Sequence, residues 1–247
     1  MKGMIFAAGV GSRLKPWTDS HPKALVEVGG KPIIANVIDK FLAHGVTSII
    51  INVHHFASQI VDYVRSAYPE ADITFSDETA HLLDTGGGLR KVLPILGNEP
   101  VFIHNADIYT DFDIDRMIAA HERSSADVTL LVASRETSRY FLFDNEHSLV
   151  GWRNIKTGDE ILKADNCDEA EMLAFGGVHI VSPVAYSLLE RYASNDTPFS
   201  ITNFYIDNCR ELKIKAFITP QDSAWFDVGR PETLERARAY CAENTQL

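Results

Sequence analysis

Cysteine is scarce, with three in 247 residues, and Cys167, Cys209 and Cys241 stand far apart. Their odd number and wide spacing exclude a disulfide framework and offer no CxxC pair to a metal, so a reducing compartment is the expected home. Basic residues are also few: Lys and Arg number 23 against 34 Asp and Glu, a formal net charge of -11. A surface of that sign repels phosphate backbones and anionic headgroups at long range, which removes nucleic acid and membrane surfaces from the expected partners. It does not forbid a small anion held by a few cations concentrated in one cleft. Long apolar runs are missing too. The opening Met1 to Ala8 is far too short for a signal core, and no stretch approaches the roughly 20 apolar residues that span a bilayer, so the expected location is the cytoplasm. No linker, repeat or low-complexity tract breaks the chain. With 45% hydrophobic and 10% aromatic residues, one domain of this length should bury roughly 70 to 75% of its unfolded surface without staples.

What is present is a regular alternation of strand and helix patterns. Met4 to Ala8 reads as a buried strand, and a helix runs from Pro32 through Ile38 and Leu42 to a stop at Gly45. Strands follow at Ser48 to Val53, near Ile73 to Phe75 and at Val101 to His104, separated by helices near Phe56 to Tyr68 and from about Gly88 to Leu96. Such alternation predicts parallel βαβ units and an α/β fold with a three-layer, mainly parallel sheet. After a helix at Ile114 to His121, strands at Val128 to Ala133, Tyr140 to Phe143 and Leu149 to Trp152 are joined by short polar turns, which predicts a small antiparallel portion. Met172 to Val181 restores a strand. Val184 to Tyr192 and Ile201 to Leu212 read as helices, Ile214 to Ile218 and Ala224 to Val228 as strands, and Pro231 to Ala242 as a closing helix.

Four segments carry chemistry. The loop Ala7-Ala8-Gly9-Val10-Gly11-Ser12-Arg13 follows the first strand directly, where glycines let backbone N–H groups approach phosphate oxygens. The dinucleotide fingerprint fails because Leu14 holds its third glycine position, and no GKS or GKT completes a P-loop. Arg13 as a planar fork and Lys23 as a point charge suit a triphosphate; a tight turn with two solvated cations is the plainer alternative. In Asp84-Thr85-Gly86-Gly87-Gly88 the glycines belong in a loop or at a helix entrance, either as a side-chain-free wall for a base or ribose or as a simple turn. Asn105-Ala106-Asp107 ends the fourth strand, and a carboxylate there points into the crevice where Mg²⁺ would be shared with substrate phosphates. Asp111, Asp113 and Asp115 fit better as turn and cap residues. In Trp225-Phe226-Asp227-Val228-Gly229, an Asp among apolar residues calls for a partner, which a second metal site would supply and a helix cap would also satisfy.

Taken in order, these motifs resemble the sugar-phosphate nucleotidyltransferase family. Ala7 to Leu25 closely matches its opening signature LAAGxGxRxxPxTxxxPKxL, and Ala174-Phe175-Gly176-Gly177-Val178 is similar to its sugar-pocket strand. Within the family, the short length, the TGGG form and the lack of a C-terminal β-helix most resemble the N-acetylmuramate-1-phosphate uridylyltransferases. The departures are Ala106 for the glycine of NGD, Arg230 for the threonine of DVGT, and Gly151-Trp152-Arg153-Asn154 in place of the EKP-type sugar motif. The resemblance implies a Rossmann-like sheet of the nucleotide-diphospho-sugar transferase type in one domain, residues 1–247. About 1–125 would be its nucleotide-binding half and about 126–247 its sugar-phosphate-binding half. It implies transfer of a nucleoside monophosphate, from UTP first, to a sugar 1-phosphate with release of pyrophosphate, for cell-envelope or polysaccharide synthesis. The alternatives are a GTP- or CTP-using relative acting on mannose, heptose or phosphocholine, and a silent regulatory subunit. Arg13, Lys23 and Asp107 would be catalytic. Ala7, Ala8, Gly9, Gly11, Ser12, Arg13, Asp84, Thr85, Gly86 and Asn105 would bind nucleotide. Lys23, Asn105, Trp152, Asn154 and Gly177 would bind the sugar phosphate, and Asp107 and Asp227 would hold Mg²⁺. The oligomeric state is left open.

Overall fold

A computed structural model describes residues 1–164, 167–194, 196–220 and 222–244. The chain forms two compact units that interleave in sequence: Met1–Leu83 with Ile103–Asp111 and Ala224–Leu247, and Asp84–Phe102 with Phe112–Ser223. Among the described residues, no helix is long and apolar enough to cross a membrane.

The first unit is built on parallel strands. Lys2–Phe6 pairs with Ser48–Val53 in the register Gly3↔Ile49 to Phe6↔Asn52, and Ser48–Val53 pairs in turn with Asp72–Asp77. Residues 103–105 of the strand Val101–Asn105 flank Lys2–Phe6 on its other side. Met4, Ile5, Ile49, Ile50 and Ile51 are essentially fully buried, the uninterrupted apolar run of strands covered on both faces. The helix Ile33–Ala43 buries Ile33, Ile34, Val37, Ile38 and Phe41, and Ala57–Ala67 buries Ile60 and Val64. Each stripe recurs at three- and four-residue spacing, which is why these segments are helices. A further apolar cluster of Leu14, Val26, Val28, Ile33, Val228, Leu234, Ala237 and Cys241 ties the glycine-rich loop to the closing helix Pro231–Asn244.

The second unit carries the antiparallel strands expected from the short polar turns. Glu171–Val181 pairs with Val128–Ala133 and with Arg139–Phe143, which pairs with Leu149–Asn154 and that with Glu160–Leu162. Ile214–Ile218 runs parallel to Val128–Ala133. Asp113 caps the helix Ile114–Ser124 by accepting the Arg116 N–H at 3.2 Å, the role expected for this aspartate.

Three helices differ from expectation. The helix placed from about Gly88 begins at Asp84 and runs to Leu96, with Gly86, Gly87 and Gly88 buried inside it. The glycines are tolerated because the first turn lies against Phe199: the Gly86 and Gly87 N–H groups donate to its carbonyl at 2.9 and 3.3 Å. A Cβ on Gly86 would strike the Phe199 ring and its carbonyl oxygen. Val184 to Tyr192 is a 3-10 turn, Pro183–Ala185, followed by a short helix, Tyr186–Arg191. Ile201–Asn208 is shorter than the expected Ile201 to Leu212, and the chain beyond it closes a turn in which the Glu211 and Leu212 N–H groups both donate to the Asn208 carbonyl, at 3.0 and 2.9 Å.

Candidate active site

The loop after the first strand is a run of tight turns. Gly11 has φ +69, and 3-10 turns follow at Ser12–Leu14, Trp17–Asp19 and Lys23–Leu25. A side chain on Gly11 would need a left-handed backbone and would meet Lys23 Cβ at 2.9 Å and Thr18 Cγ2 at 3.0 Å. The buried Thr18 hydroxyl donates to the Gly11 carbonyl at 3.0 Å. The loop therefore folds back on itself, bringing Lys23 beside its own glycine turn. Ala7 and Ala8 are buried, whereas Gly9, Ser12 and Arg13 face solvent.

A two-stranded ladder supplies the acidic side. Trp225–Asp227 runs antiparallel to Ile108–Thr110, with Asp227 opposite Ile108, and the Val228 N–H donates to the Asp107 carbonyl at 2.9 Å. That pairing sets Asp227 next to Asp107 despite their distance in sequence. The ladder is held in turn by Thr110 Oγ1 donating to the Ala224 carbonyl at 2.7 Å and by Lys40 Nζ donating to the Thr110 carbonyl at 2.9 Å.

Four charged groups converge here. Lys23 Nζ donates to Asp107 Oδ2 and lies 3.7 Å from Asp227 Oδ1. Arg13 Nη2 lies 3.5 Å from Asp227 Oδ2. The Lys23 side chain is only 9% exposed, while those of Asp107 and Asp227 are about one-third exposed. Asp227 Oδ1 also accepts the Gly229 N–H at 2.8 Å. Two carboxylates within reach of one ammonium group, both open to solvent, are the hard oxygen donors that a small divalent cation takes; Asp107 and Asp227 fit Mg²⁺. The cluster as it stands balances two cations against two anions.

Sequence reasoning missed Gly229. It is buried, and a Cβ on it would lie 2.6 Å from Lys23 Nζ, 2.7 Å from Arg13 Nη2 and 2.7 Å from Asp227 Oδ1. No local pattern marks that convergence, because it exists only once the ladder has formed. Ala106 is 2% exposed, its N–H donating to the Phe6 carbonyl at 3.0 Å, so the departure from glycine is absorbed inside the unit. Asn105 is half-buried, and its carbonyl accepts a hydrogen bond at 2.8 Å from His104 Nδ1. The His104 pKa is pushed down to about 3, chiefly by burial, with the Lys40 charge adding to it.

The remaining expected site residues belong to the second unit. Asp84, at φ +60, accepts the Thr85 N–H at 2.6 Å, and Thr85 Oγ1 accepts the Ile201 N–H at 2.9 Å. Trp152 is half-buried opposite Phe141, and Asn154 Oδ1 accepts the Lys156 N–H at 3.1 Å in a turn. Gly177, at φ +74, lies where the register of Glu171–Val181 shifts between Phe175 and His179. A bulge of that kind demands glycine.

The glycine turn and Asp107 both follow strands of the parallel sheet at their carboxyl ends, where ligands of open α/β sheets lie, and Lys23, Arg13 and Asp227 converge there. The nucleotidyl transferase family matches residues 2–143, and the chain belongs to that family. It is 32% identical to the N-acetylmuramate alpha-1-phosphate uridylyltransferase of Caulobacter vibrioides, over 97% of this chain and 96% of that protein. It is 36% identical to the mannose-1-phosphate guanyltransferase of Gibberella zeae, over 57% of this chain and 40% of that one. A solved structure of an apo UDP-glucose pyrophosphorylase superposes with a TM-score of 0.78 at 17% identity, covering all of both chains; the fold is that of the nucleotide-diphospho-sugar transferases.

Proposed function

We propose that this chain joins a nucleoside monophosphate, taken from UTP, to a sugar 1-phosphate, with N-acetylmuramate 1-phosphate the first candidate, and releases pyrophosphate. The observation that carries the reading is the convergence of Arg13, Lys23, Asp107 and Asp227 around Gly229. An oxygen of the sugar phosphate attacks the α-phosphorus, the bond from that phosphorus to the bridging oxygen breaks, and pyrophosphate departs in line. The nucleophile is already an anion, so the task is to bring two polyanions together and stabilise the charge that develops. Backbone at Ala8, Gly9, Gly11 and Ser12 cradles the triphosphate, and Ala7, its N–H held by Asn52, opens the nucleotide-binding loop. Arg13 grips its outer phosphates, and Lys23 leaves its carboxylate partners to neutralise the α-phosphate and the incoming sugar phosphate. Asp107 and Asp227 would hold Mg²⁺, which supplies Lewis-acid screening of the phosphate oxygens. Asp84, Thr85, Gly86 and Asn105 contribute to the nucleotide site, and Trp152, Asn154 and Gly177, with Asn105 and Lys23, to the sugar-phosphate site. In this reading about 1–125 serves as the nucleotide-binding half and about 126–247 as the sugar-phosphate-binding half, with Lys23 and Asn105 from the first also serving the sugar phosphate. The product feeds cell-wall synthesis in the cytoplasm.

A GTP-dependent variant of the reaction is the second reading, favoured by the match to a guanyltransferase. Pyrophosphate release with Mg²⁺ separates them when UTP, GTP, CTP and dTTP are crossed against N-acetylmuramate, mannose, heptose and glucose 1-phosphates. One productive pair, lost in Asp107→Asn and reduced about 10² to 10³-fold in Lys23→Ala, is the expected result. A Lys23→Ala variant of near-normal turnover would refute the assignment of that residue.

A further inference from the structure

The cluster just described does not use a carboxylate sealed inside the same unit. Glu78 is 1% exposed and Asn52 2%. Asn52 sits on the strand Ser48–Val53, opposite Phe6 of one neighbouring strand and Ser76 of the other. Its amide reaches past the carboxyl ends of both neighbours. Oδ1 accepts the Ala7 N–H at 2.8 Å, and Nδ2 donates to Glu78 Oε1 at 2.8 Å. The second carboxylate oxygen, Oε2, accepts the Leu83 N–H at 3.0 Å. A continuous relay thus links the residue that opens the glycine loop to the residue preceding Asp84.

We infer that Asn52 and Glu78 are positioning residues for the nucleotide, setting the spacing between the start of the phosphate cradle and the end of the 78–83 loop. The inference rests on the proposed function. Burying a carboxylate costs free energy unless its oxygens are bonded, and apolar residues of similar volume stabilise such a place at least as well. Donor and acceptor geometry at both ends is what a polar pair adds and an apolar pair lacks. Its location fits this role, since ligands of open α/β sheets lie beyond the carboxyl ends of the strands.

The relay has one allowed polarity. In Glu78→Gln the new amide nitrogen must face either Asn52 Nδ2 or the Leu83 N–H, and turning Asn52 over only moves the donor conflict to Ala7. In Asn52→Asp two carboxylates meet where a donor and an acceptor met before. The combined Asn52→Asp with Glu78→Gln restores every bond: Asp accepts from Ala7 and from the Gln amide, whose oxygen accepts from Leu83. Only the charge has moved.

The test measures the Kd of the full-length protein for UTP, GTP, CTP and dTTP by calorimetry with Mg²⁺, KM and kcat by pyrophosphate release, and the melting temperature. Each single variant is expected to raise Kd and KM for the preferred nucleotide about tenfold or more, with a smaller change in kcat. The double variant should return to within about threefold of wild type. Single variants with lowered melting temperature but wild-type Kd would overturn the inference, leaving a purely structural role. So would a double variant that regains stability without regaining affinity. If the single variants do not fold, the double variant decides alone: wild-type affinity supports the relay, and weakened affinity or failure to fold overturns it. Wild type that binds nucleotide without releasing pyrophosphate defeats the proposed function while the Kd comparison still tests the relay; wild type that binds none of the four defeats both.

Discussion

The sharpest consequence of the site geometry concerns Gly229, which the sequence marks only as part of a motif. Replacing it by Ala adds one methyl group and does not require a left-handed backbone. That methyl would stand 2.6 Å from Lys23 Nζ, 2.7 Å from Arg13 Nη2 and 2.7 Å from Asp227 Oδ1, each closer than a carbon tolerates. All three atoms are the far ends of side chains and can retreat, Arg13 easily because half its side chain is exposed. The fold should therefore survive, with a stability change of about 1 kcal/mol or less. The methyl would stand where the three charged ends meet, so Lys23 and Arg13 would have to reach the phosphates around it. A displacement of about 1 Å at a positioned group costs on the order of 10²-fold in rate, and losing one preorganised charge stabiliser costs about 10² to 10³-fold. Gly229→Ala is thus expected to lower kcat by about 10²-fold while melting within a few degrees of wild type. Initial rates of pyrophosphate release beside a thermal melt provide the check. A variant that retains wild-type turnover would show that Lys23 and Arg13 do not act in the space around Gly229, and one that unfolds would show that the cluster is primarily a structural ion-pair network.

Gly9 offers the complementary case, since a Cβ there meets nothing within 4 Å; Gly9→Ala should leave the melting temperature unchanged and raise the nucleotide KM about tenfold or more, as the methyl takes space a phosphate needs. Gly86→Ala should instead lower stability, costing about 1 to 3 kcal/mol in urea denaturation because the new methyl strikes Phe199 within its own unit. The His104 pKa falls from 6.5 unfolded to about 3 folded, so the unfolded chain takes up a proton that the folded chain refuses. Its contribution to stability is complete above pH 6.5 and is lost as pH falls from there toward 3, at about 1.4 kcal/mol per pH unit. Melting curves between pH 5 and 7 should be flatter for His104→Gln than for wild type, and parallel curves would show that the imidazole is not held neutral.

Strands whose apolar, β-branched runs end in polar residues were legible to the residue: Ser48–Val53, Val128–Ala133 and Ile214–Ile218 coincide with the reading of the chain. Glu160–Leu162 carries no such signal, because all three residues are exposed and the strand exists through pairing with Leu149–Asn154 alone. The start of the Asp84–Leu96 helix was hidden by a different cause. Three glycines cost about 1 kcal/mol each in a helix, and what offsets them is Phe199, more than a hundred residues further along. The same limit applies to the site. Residue types and their local setting single out the four as candidates one by one: Arg13 by its glycine turn, Lys23 as the second cation of that loop, Asp107 by its place after a strand, and Asp227 as an aspartate among apolar residues. That Arg13 meets Asp227 across 214 residues depends on the ladder between Trp225–Asp227 and Ile108–Thr110, and that Lys23 meets Asp107 across 84 depends on the Ala106 N–H bonding the Phe6 carbonyl, which brings this segment beside the start of the glycine loop. Residues whose role lies in such meetings, Gly229 and the Asn52–Glu78 pair, have no local spacing to betray them. A glycine or a buried amide acquires its meaning from the groups brought against it, and those groups come from distant parts of the chain.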